Sequence, residues 1–257
     1  MSELLLLEGE RLDEIGFADL KLIQKPEEFC YGVDAVILAD FAAKNMNRGR
    51  KKTRIVADLG SGTGIIPIIL QHKTPVEKIY AVEVQKDSFN RINRNITMNN
   101  LESKIEGIHS DVLHVLDSRP ELKNMCDVVI SNPPYFMAGG HGLTNDNDAK
   151  RIARHETTAK LEDFIRVTAA LLKDKGEFFM VHRPSRLVDI CEMCRKYKLE
   201  PKNLRFVAPN KNSGPNILLV RAVKYGNPEL IVEDPLYVYK EEDRSYTDEI
   251  MYIYERV

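Results

Sequence analysis

The 257-residue sequence has little of what marks secreted or membrane proteins. It contains four cysteines, and only Cys191 and Cys194 lie close together, which argues against a disulfide framework and for a reducing compartment. Two thiols cannot complete a four-ligand zinc site, so we expect no metal. No apolar run approaches the roughly 20 residues that span a bilayer, and no basic segment precedes the leucines near the start. These absences predict a cytoplasmic protein without membrane contacts.

The composition, 43% hydrophobic and 30% charged, is typical of a globular protein, and we predict a single domain over residues 1–257, with a monomer favoured. The net charge of −2 is unevenly distributed. Residues 226–257 contain nine acidic and three basic side chains and carry −6, which leaves +4 for the rest of the chain. A basic remainder is compatible with a polyanionic partner.

Strand and helix patterns alternate along the chain, which predicts an α/β fold with a parallel sheet covered on both faces. Residues 1–54 are predicted as a strand and helix extension, with a strand at Leu20–Gln24 and a helix from Val33. Residues 226–257 contain two runs rich in tyrosine and aliphatic residues. We predict that they form an acidic terminal hairpin whose second strand is Ile250–Tyr254.

A glycine loop follows the predicted strand Ile55–Leu59, and residues 56–64 read VADLGSGTG. Gly60, Gly62 and Gly64 allow positive φ and close approach of a ligand, and the helix that follows directs unpaired amides toward it. Pro67 fits the first turn of that helix. The spacing differs from the dinucleotide fingerprint and is typical of nucleoside-binding methyltransferases. A purely structural turn remains the alternative.

Glu83 ends the second predicted strand, and Asp111 follows the third, Ile105–His109. Glu83 is placed to accept both ribose hydroxyls of a nucleoside, and Asp111 to accept the adenine amino group. The alternatives are a solvated carboxylate for Glu83 and the cap of a turn for Asp111. The residues predicted to bind the cofactor at this edge are Asp58, Gly60, Gly62, Gly64, Glu83, Val84, Asp111, Val112 and Asn132.

Residues 131–135 read SNPPY and follow the strand 127–130, so they are expected beside the glycine loop. The oxygen of the Asn132 side chain and the carbonyl of Pro133 can accept both hydrogens of an amino group. These two bonds would turn the nitrogen lone pair toward the methyl donor. Pro134 fixes the backbone, and Tyr135 offers a ring on which a flat acceptor can stack. We predict that these four residues form the catalytic segment.

Together, the glycine loop and NPPY resemble the seven-stranded, Rossmann-like methyltransferases that modify adenine N6, cytosine N4 or a glutamine amide. Residues 29–36 (FCYGVDAV), 154–156 (RHE) and 182–187 (HRPSRL) are similar to bacterial methyltransferases acting on adenine N6 of valine tRNA. This resemblance implies a mixed sheet with one antiparallel strand, S-adenosylmethionine as cofactor and tRNA as partner. It also places Tyr31, Gly32 and Asp34 near the methionine part of the cofactor.

Basic residues after the NPPY segment are candidates for RNA contact, through bonds to phosphates. The alternative is a solvated, charged surface. The candidates are Arg151, Arg154, His155, Arg183 and Arg186.

Other functions compete with adenine methylation of tRNA. A glutamine methyltransferase acting on a release factor shares NPPY but usually carries a helical domain before the glycine loop. A DNA adenine methyltransferase would need a target-recognition domain that we do not find. The glycine spacing argues against a NAD-dependent oxidoreductase, and the intact NPPY argues against a catalytically silent scaffold.

Overall fold

The computed structural model describes residues 6–27, 30–48, 54–134, 159–241 and 243–256. The strands are β1 (Arg11–Glu14), β2 (Lys21–Gln24), β3 (Ile55–Leu59), β4 (Lys78–Glu83), β5 (Ile105–His109), β6 (Cys126–Ser131), β7 (Leu172–His182), β8 (Leu199–Ala208), β9 (Ile217–Lys224) and β10 (Ile231–Tyr237). The helices are α1 (Val33–Arg48), α2 (Ile65–Lys73), α3 (Lys86–Met98), α4 (Val115–Ser118), α5 (Leu161–Leu171), α6 (Leu187–Lys196) and α7 (Asp248–Ile253).

The large sheet has the strand order β10-β8-β9-β7-β6-β3-β4-β5. β9 is antiparallel to both of its neighbours, and the other pairs are parallel. This confirms the predicted α/β class with a mostly parallel sheet and one antiparallel strand. The sheet has eight strands instead of the expected seven, because β10 adds in parallel to the outer edge of β8. The carboxyl ends of all strands of this sheet except β9 therefore share one edge.

Side chains of the central strands alternate between two buried layers. Val56, Val128 and Ile130 join the layer that packs against α1, α2, α3 and α7. Ala57 and Val129 join the opposite layer, which packs against α5 and α6. Apolar side chains on both faces of a sheet must be covered on both faces. Helices cover both faces here, so the predicted placement of helices on the two faces of the sheet is confirmed.

The predicted terminal hairpin is wrong. β10 is a strand, but Ile250–Tyr254 belongs mainly to helix α7, and Tyr239 and Tyr246 form only an isolated antiparallel bridge. Ile250 and Ile253 recur with helical spacing and are both buried. The Thr247 hydroxyl caps the helix by accepting from the Ile250 amide at 3.4 Å. Helical spacing and the cap outweigh the β-propensity of the tyrosines.

The β1–β2 hairpin lies at the start of the described chain and is anchored to α3. The Glu10 carboxylate accepts from Arg91 Nε at 3.1 Å and from the guanidinium of Arg94 at 2.5 and 2.7 Å. These bonds lower the pKa of Glu10 to about 2, with the Arg94 hydrogen bonds as the largest cause. The Phe17 ring, between β1 and β2, stacks on Tyr254 at 6.0 Å between centroids. The first and last described segments thus contact each other.

Among the helices of the described ranges, none is both long enough and apolar enough to cross a membrane.

Candidate active site

The glycine loop connects β3 to α2 and has left-handed backbone at each predicted glycine. The φ angles of Gly60, Gly62 and Gly64 are +76°, +59° and +83°. Amides of Gly60 and Ser61 donate to the Val82 carbonyl at 3.0 and 2.9 Å, which ties the loop to β4. A Cβ added to Gly62 would meet no atom of the described residues within 4 Å. The loop therefore borders open space at its centre, where a ligand can approach the backbone.

Asp58, the last but one residue of β3, is fully buried under the loop. Its Oδ2 accepts from the Ser61 hydroxyl at 2.6 Å, whereas Oδ1 has no hydrogen-bond partner among the described residues. Burial raises the pKa of Asp58 to about 7, and the neighbouring charge of Glu83 adds to that rise. A buried carboxylate oxygen without a donor is costly, and a cationic ligand group with N–H donors would satisfy it.

Glu83 ends β4 and holds the loop from the other side. Its Oε2 accepts from the Gly62 amide and its Oε1 from the Gln85 amide, both at 2.8 Å. Burial raises the pKa of this carboxyl, and the backbone donors of Gln85, Gly62 and Val84 partly oppose that rise. Each carboxylate oxygen has a second lone pair, so the predicted ribose contacts are chemically compatible with these bonds.

Asp111 follows β5 on the same edge. It caps a turn, as the alternative interpretation of this residue predicted. Its Oδ1 accepts from the Leu113 amide at 2.8 Å and so begins the 3-10 turn Val112–His114. Val112 is buried, and the Val84 carbonyl accepts from the His109 ring at 3.0 Å. A role of Asp111, Val84 and Val112 in adenine binding stays a prediction.

The predicted catalytic segment begins where β6 ends, beside the glycine loop. Ser131 pairs with Leu59 in the β3–β6 register, and its hydroxyl donates to the Leu59 carbonyl at 2.8 Å. Asn132, Pro133 and Pro134 follow directly, and Pro133 is buried. The Asn132 amide nitrogen donates to Asp34 Oδ2 at 3.3 Å. Because the nitrogen faces Asp34, the oxygen Oδ1 is the atom with which this side chain can accept.

The segment at the start of α1 contains the predicted residues Tyr31, Gly32 and Asp34 and lies next to Asn132. Asp34 Oδ1 accepts from the Ala35 amide at 2.9 Å, while Oδ2 accepts from Asn132. A Cβ on Gly32 would lie 2.7 Å from Asp34 Oδ1, so glycine leaves room for this carboxylate. The Tyr31 amide donates to Gln24 Oε1 at 3.0 Å, which connects the segment to β2. The structure therefore brings together Asp34, Asn132 and the glycine loop.

Asn95 was not predicted, yet it supports the glycine loop from α3. It is fully buried, and its amide nitrogen donates to the Thr63 carbonyl at 2.9 Å and to Ile23 at 3.3 Å. Its oxygen accepts from the Ile23 amide at 2.7 Å. Asn99, one turn later, makes the same pair of bonds to Lys21. The sequence feature that could have indicated this role is the pair of asparagines four residues apart on an amphipathic helix.

His182, at the end of β7, is also close to this edge. It is buried, and burial lowers the pKa of the imidazole to about 4, with nearby Arg186 as a further cause. The Arg183 amide donates to His182 Nδ1 at 2.8 Å. This ring is therefore neutral at physiological pH, and it was not among the predicted site residues.

The RNA candidates divide into two groups. Arg183 is exposed just beyond β7, and Arg186 forms an ion pair with Asp189 at 2.6 Å. Tyr135, Arg151, Arg154 and His155 lie outside the described residues, so their roles stay predictions.

In the part of the chain that the structure describes, no group of three or more His, Cys, Asp or Glu could hold a metal.

Comparisons with known proteins identify the family of the chain. A sequence model described as "Methyltransferase small domain" matches residues 35–189, which include the glycine loop and Asn132. A protein of Pedobacter heparinus named tRNA1(Val) (adenine(37)-N6)-methyltransferase is 26% identical over 65% of this chain and 65% of its own length. Seven further relatives with that name are 24–30% identical.

Two crystal structures illustrate the shared fold. A predicted O-methyltransferase of Agrobacterium tumefaciens superposes with a TM-score of 0.67 at 21% identity, covering 87% of this chain and 97% of that one. The M. jannaschii protein TYW2 in complex with AdoMet gives a TM-score of 0.56 at 17% identity, covering 85% and 86%. These likenesses confirm the Rossmann-like methyltransferase fold.

Proposed function

The chain belongs to the methyltransferase small domain family, and we propose that it transfers a methyl group from S-adenosylmethionine to the exocyclic N6 amine of an adenine in tRNA. One observation carries the proposal. Asn132 and Pro133 follow β6 directly beside the glycine loop, and Asp34 orients the Asn132 amide so that its oxygen can accept from an amine.

The cofactor pocket is proposed from the residues around the glycine loop. Asp58 Oδ1, which lacks a donor among the described residues, fits the ammonium of the methionine part. Glu83 would accept from the ribose hydroxyls, and the open space at Gly62 admits the ligand to the backbone. S-adenosylmethionine supplies an electrophilic methyl group on a sulfonium.

The protein would act on the acceptor mainly by positioning it. Asn132 Oδ1 and the Pro133 carbonyl accept the two hydrogens of the amino group, which directs the nitrogen lone pair. As the nitrogen gains positive charge during transfer, both hydrogen bonds strengthen. An exocyclic amine is neutral at the start and releases its proton after transfer, so no strong base is needed. Stacking of the adenine on Tyr135 is part of the proposal.

An RNA acceptor is favoured over a protein one for two reasons. Relatives along most of the chain carry the name tRNA1(Val) (adenine(37)-N6)-methyltransferase. Arg183 is exposed on the edge that holds Asn132, where a phosphate can reach it.

The deciding experiment offers three acceptors to the wild-type protein with cofactor labelled in its methyl group. The acceptors are unmodified tRNA, DNA and a purified release factor. We expect label only in tRNA, recovered as N6-methyladenosine after nuclease digestion. Label in DNA or in a glutamine of the release factor would replace the proposal by one of its alternatives.

A further inference from the structure

A column of four aromatic rings runs from the protein interior to its surface. Phe17 stacks on Tyr254, Tyr254 on Tyr246 and Tyr246 on Tyr239, with centroids 6.0, 5.6 and 5.6 Å apart. The interplanar angles of 15°, 10° and 18° make the rings nearly parallel. Phe17 is fully buried, whereas Tyr239 is 38% exposed. The column therefore ends in a tyrosine that is partly exposed to solvent.

Backbone bonds hold this last ring in place. The Tyr239 amide donates to the Pro209 carbonyl at 2.8 Å, and Tyr239 pairs with Tyr246 in an antiparallel bridge. The Lys240 amide donates to the Ser245 carbonyl at 2.8 Å. Tyr239 is thus fixed by Tyr246 on one side and by its own backbone, and a ligand that stacks on it would not have to order it first.

The sheet topology places Tyr239 on the same edge as Asn132. Tyr239 lies two residues beyond β10, which is parallel to β8 and has the same direction as β6. In the sheet order, β7, β9 and β8 separate β6 from β10. Four strand spacings of about 4.8 Å put the two residues roughly 19 Å apart along the edge.

Two basic side chains lie between them along this edge. Arg183 follows β7, and Lys211 lies in the loop 209–216 that joins β8 to β9; both are exposed. Asn210 shapes that loop, because its Oδ1 accepts from the Asn212 amide at 3.0 Å. Lys211 makes no hydrogen bond or ion pair with any residue that the structure describes. The edge therefore presents a row: Asn132, Arg183, Lys211 and Tyr239.

We propose that Tyr239 is a stacking site for an unpaired base of the RNA, a few nucleotides from the target adenine, and that Lys211 contacts a phosphate between the two. The inference rests on the proposed function. A tyrosine face accepts any base, and rows of cations with an aromatic platform are typical of single-strand binding. Exposed Glu241 and Asp243 disfavour a phosphate beyond Tyr239, so the backbone would pass on the Lys211 side.

The test compares Tyr239→Ala, Tyr239→Phe and Tyr252→Ala. Tyr252 is a matched control because it lies in the same C-terminal segment, is 64% exposed and is not in the column. Binding is measured on an unmodified tRNA transcript. Loss of one base stack weakens binding by about 5- to 150-fold. We expect that loss for Tyr239→Ala only, with Tyr239→Phe and Tyr252→Ala within about twofold of wild type.

A second measurement separates stacking from folding. Transcripts carry 2-aminopurine at single positions within five nucleotides of the target, and wild type should quench the fluorescence at one of them. Tyr239→Phe should quench it equally. Wild type that quenches at no position, or Tyr239→Ala that binds like wild type, overturns the proposal. If wild type methylates DNA or protein but not tRNA, the proposed function fails first and this inference with it.

Discussion

The Asn132 side chain donates to the Asp34 carboxylate at 3.3 Å, although the two residues are 98 positions apart in sequence. Asp34 lies in the first turn of α1, and Asn132 follows β6. The bond directs the nitrogen end of the Asn132 amide at Asp34. Asp34, predicted to lie beside the methionine part of the cofactor, therefore also positions the residue that we propose to hold the amine.

Asn132→Ala should strongly slow methyl transfer while the fold remains. Loss of one preorganised hydrogen-bond partner costs about 100- to 1,000-fold in rate, because the bond is strongest when the nitrogen becomes positive. Cofactor affinity should change little. Single-turnover methylation and calorimetry with S-adenosylhomocysteine measure the two effects. Near-wild-type turnover would contradict the amine-positioning mechanism.

Asn132→Asp should also lose activity, for a different reason. It places a second carboxylate close to Asp34, and two adjacent carboxylates repel each other and raise the pKa of one of them. A double variant, Asp34→Asn with Asn132→Asp, exchanges the two side chains. It again has one carboxylate and one amide at this place, and it should recover part of the rate of methyl transfer. A double variant no better than Asn132→Asp would show that Asp34 does not act through Asn132.

Glu83→Ala should weaken cofactor binding by about 1–3 kcal/mol, the usual effect of losing hydrogen bonds to a charged group. Part of the loss is indirect, because Gly62 loses the acceptor that fixes the loop. Glu83→Gln keeps an acceptor for one amide and should lose less. Calorimetry with S-adenosylhomocysteine measures both, and unchanged affinity in Glu83→Ala would remove Glu83 from the pocket.

Asp58 should make both stability and cofactor binding depend on pH. Its pKa is about 7 in the folded chain, against an ordinary value of 3.8, so the folded state keeps a proton that the unfolded state releases. Its contribution to the free energy of unfolding therefore falls as pH rises from about 4 to about 7, by on the order of 4 kcal/mol. Asp58→Asn should remove that slope.

The same carboxyl should release its proton when a cationic ligand binds below pH 7, since the ammonium favours the charged form. Calorimetry of S-adenosylhomocysteine binding at pH 6 in buffers of different ionisation enthalpy measures the released protons. Asp58→Asn should release fewer. Equal release by both proteins would show that Asp58 does not face the ligand.

Asn95→Ala should weaken cofactor binding, whereas Asn99→Ala should not. Both substitutions remove a pair of bonds to the β2 backbone, so both should destabilise the fold by about 1–3 kcal/mol. Only Asn95 also donates to Thr63 in the glycine loop. Thermal unfolding and S-adenosylhomocysteine affinity separate the effects, and equal affinities would mean that the loop does not depend on Asn95.

The features predictable from sequence were those encoded by short spacings. Alternating glycines at 60, 62 and 64 predicted the loop, and Asn132 after an apolar strand predicted the catalytic edge. The contacts between Asp34 and Asn132 and between Asn95 and Thr63 were not predictable, because each joins elements that are distant in sequence. The tail was misassigned because the alternating tyrosines suggested a strand, whereas the buried Ile250 and Ile253 have helical spacing and Thr247 caps the helix.

The stack of Phe17, between β1 and β2, on Tyr254, at the end of α7, connects two segments that lie outside the large sheet. Amide hydrogens in the two segments should therefore exchange with solvent through a common opening. Asn95 connects the β1–β2 hairpin to the glycine loop through its bonds to Ile23 and Thr63. A ligand that binds the loop should then slow exchange in α7, far from any atom that it contacts.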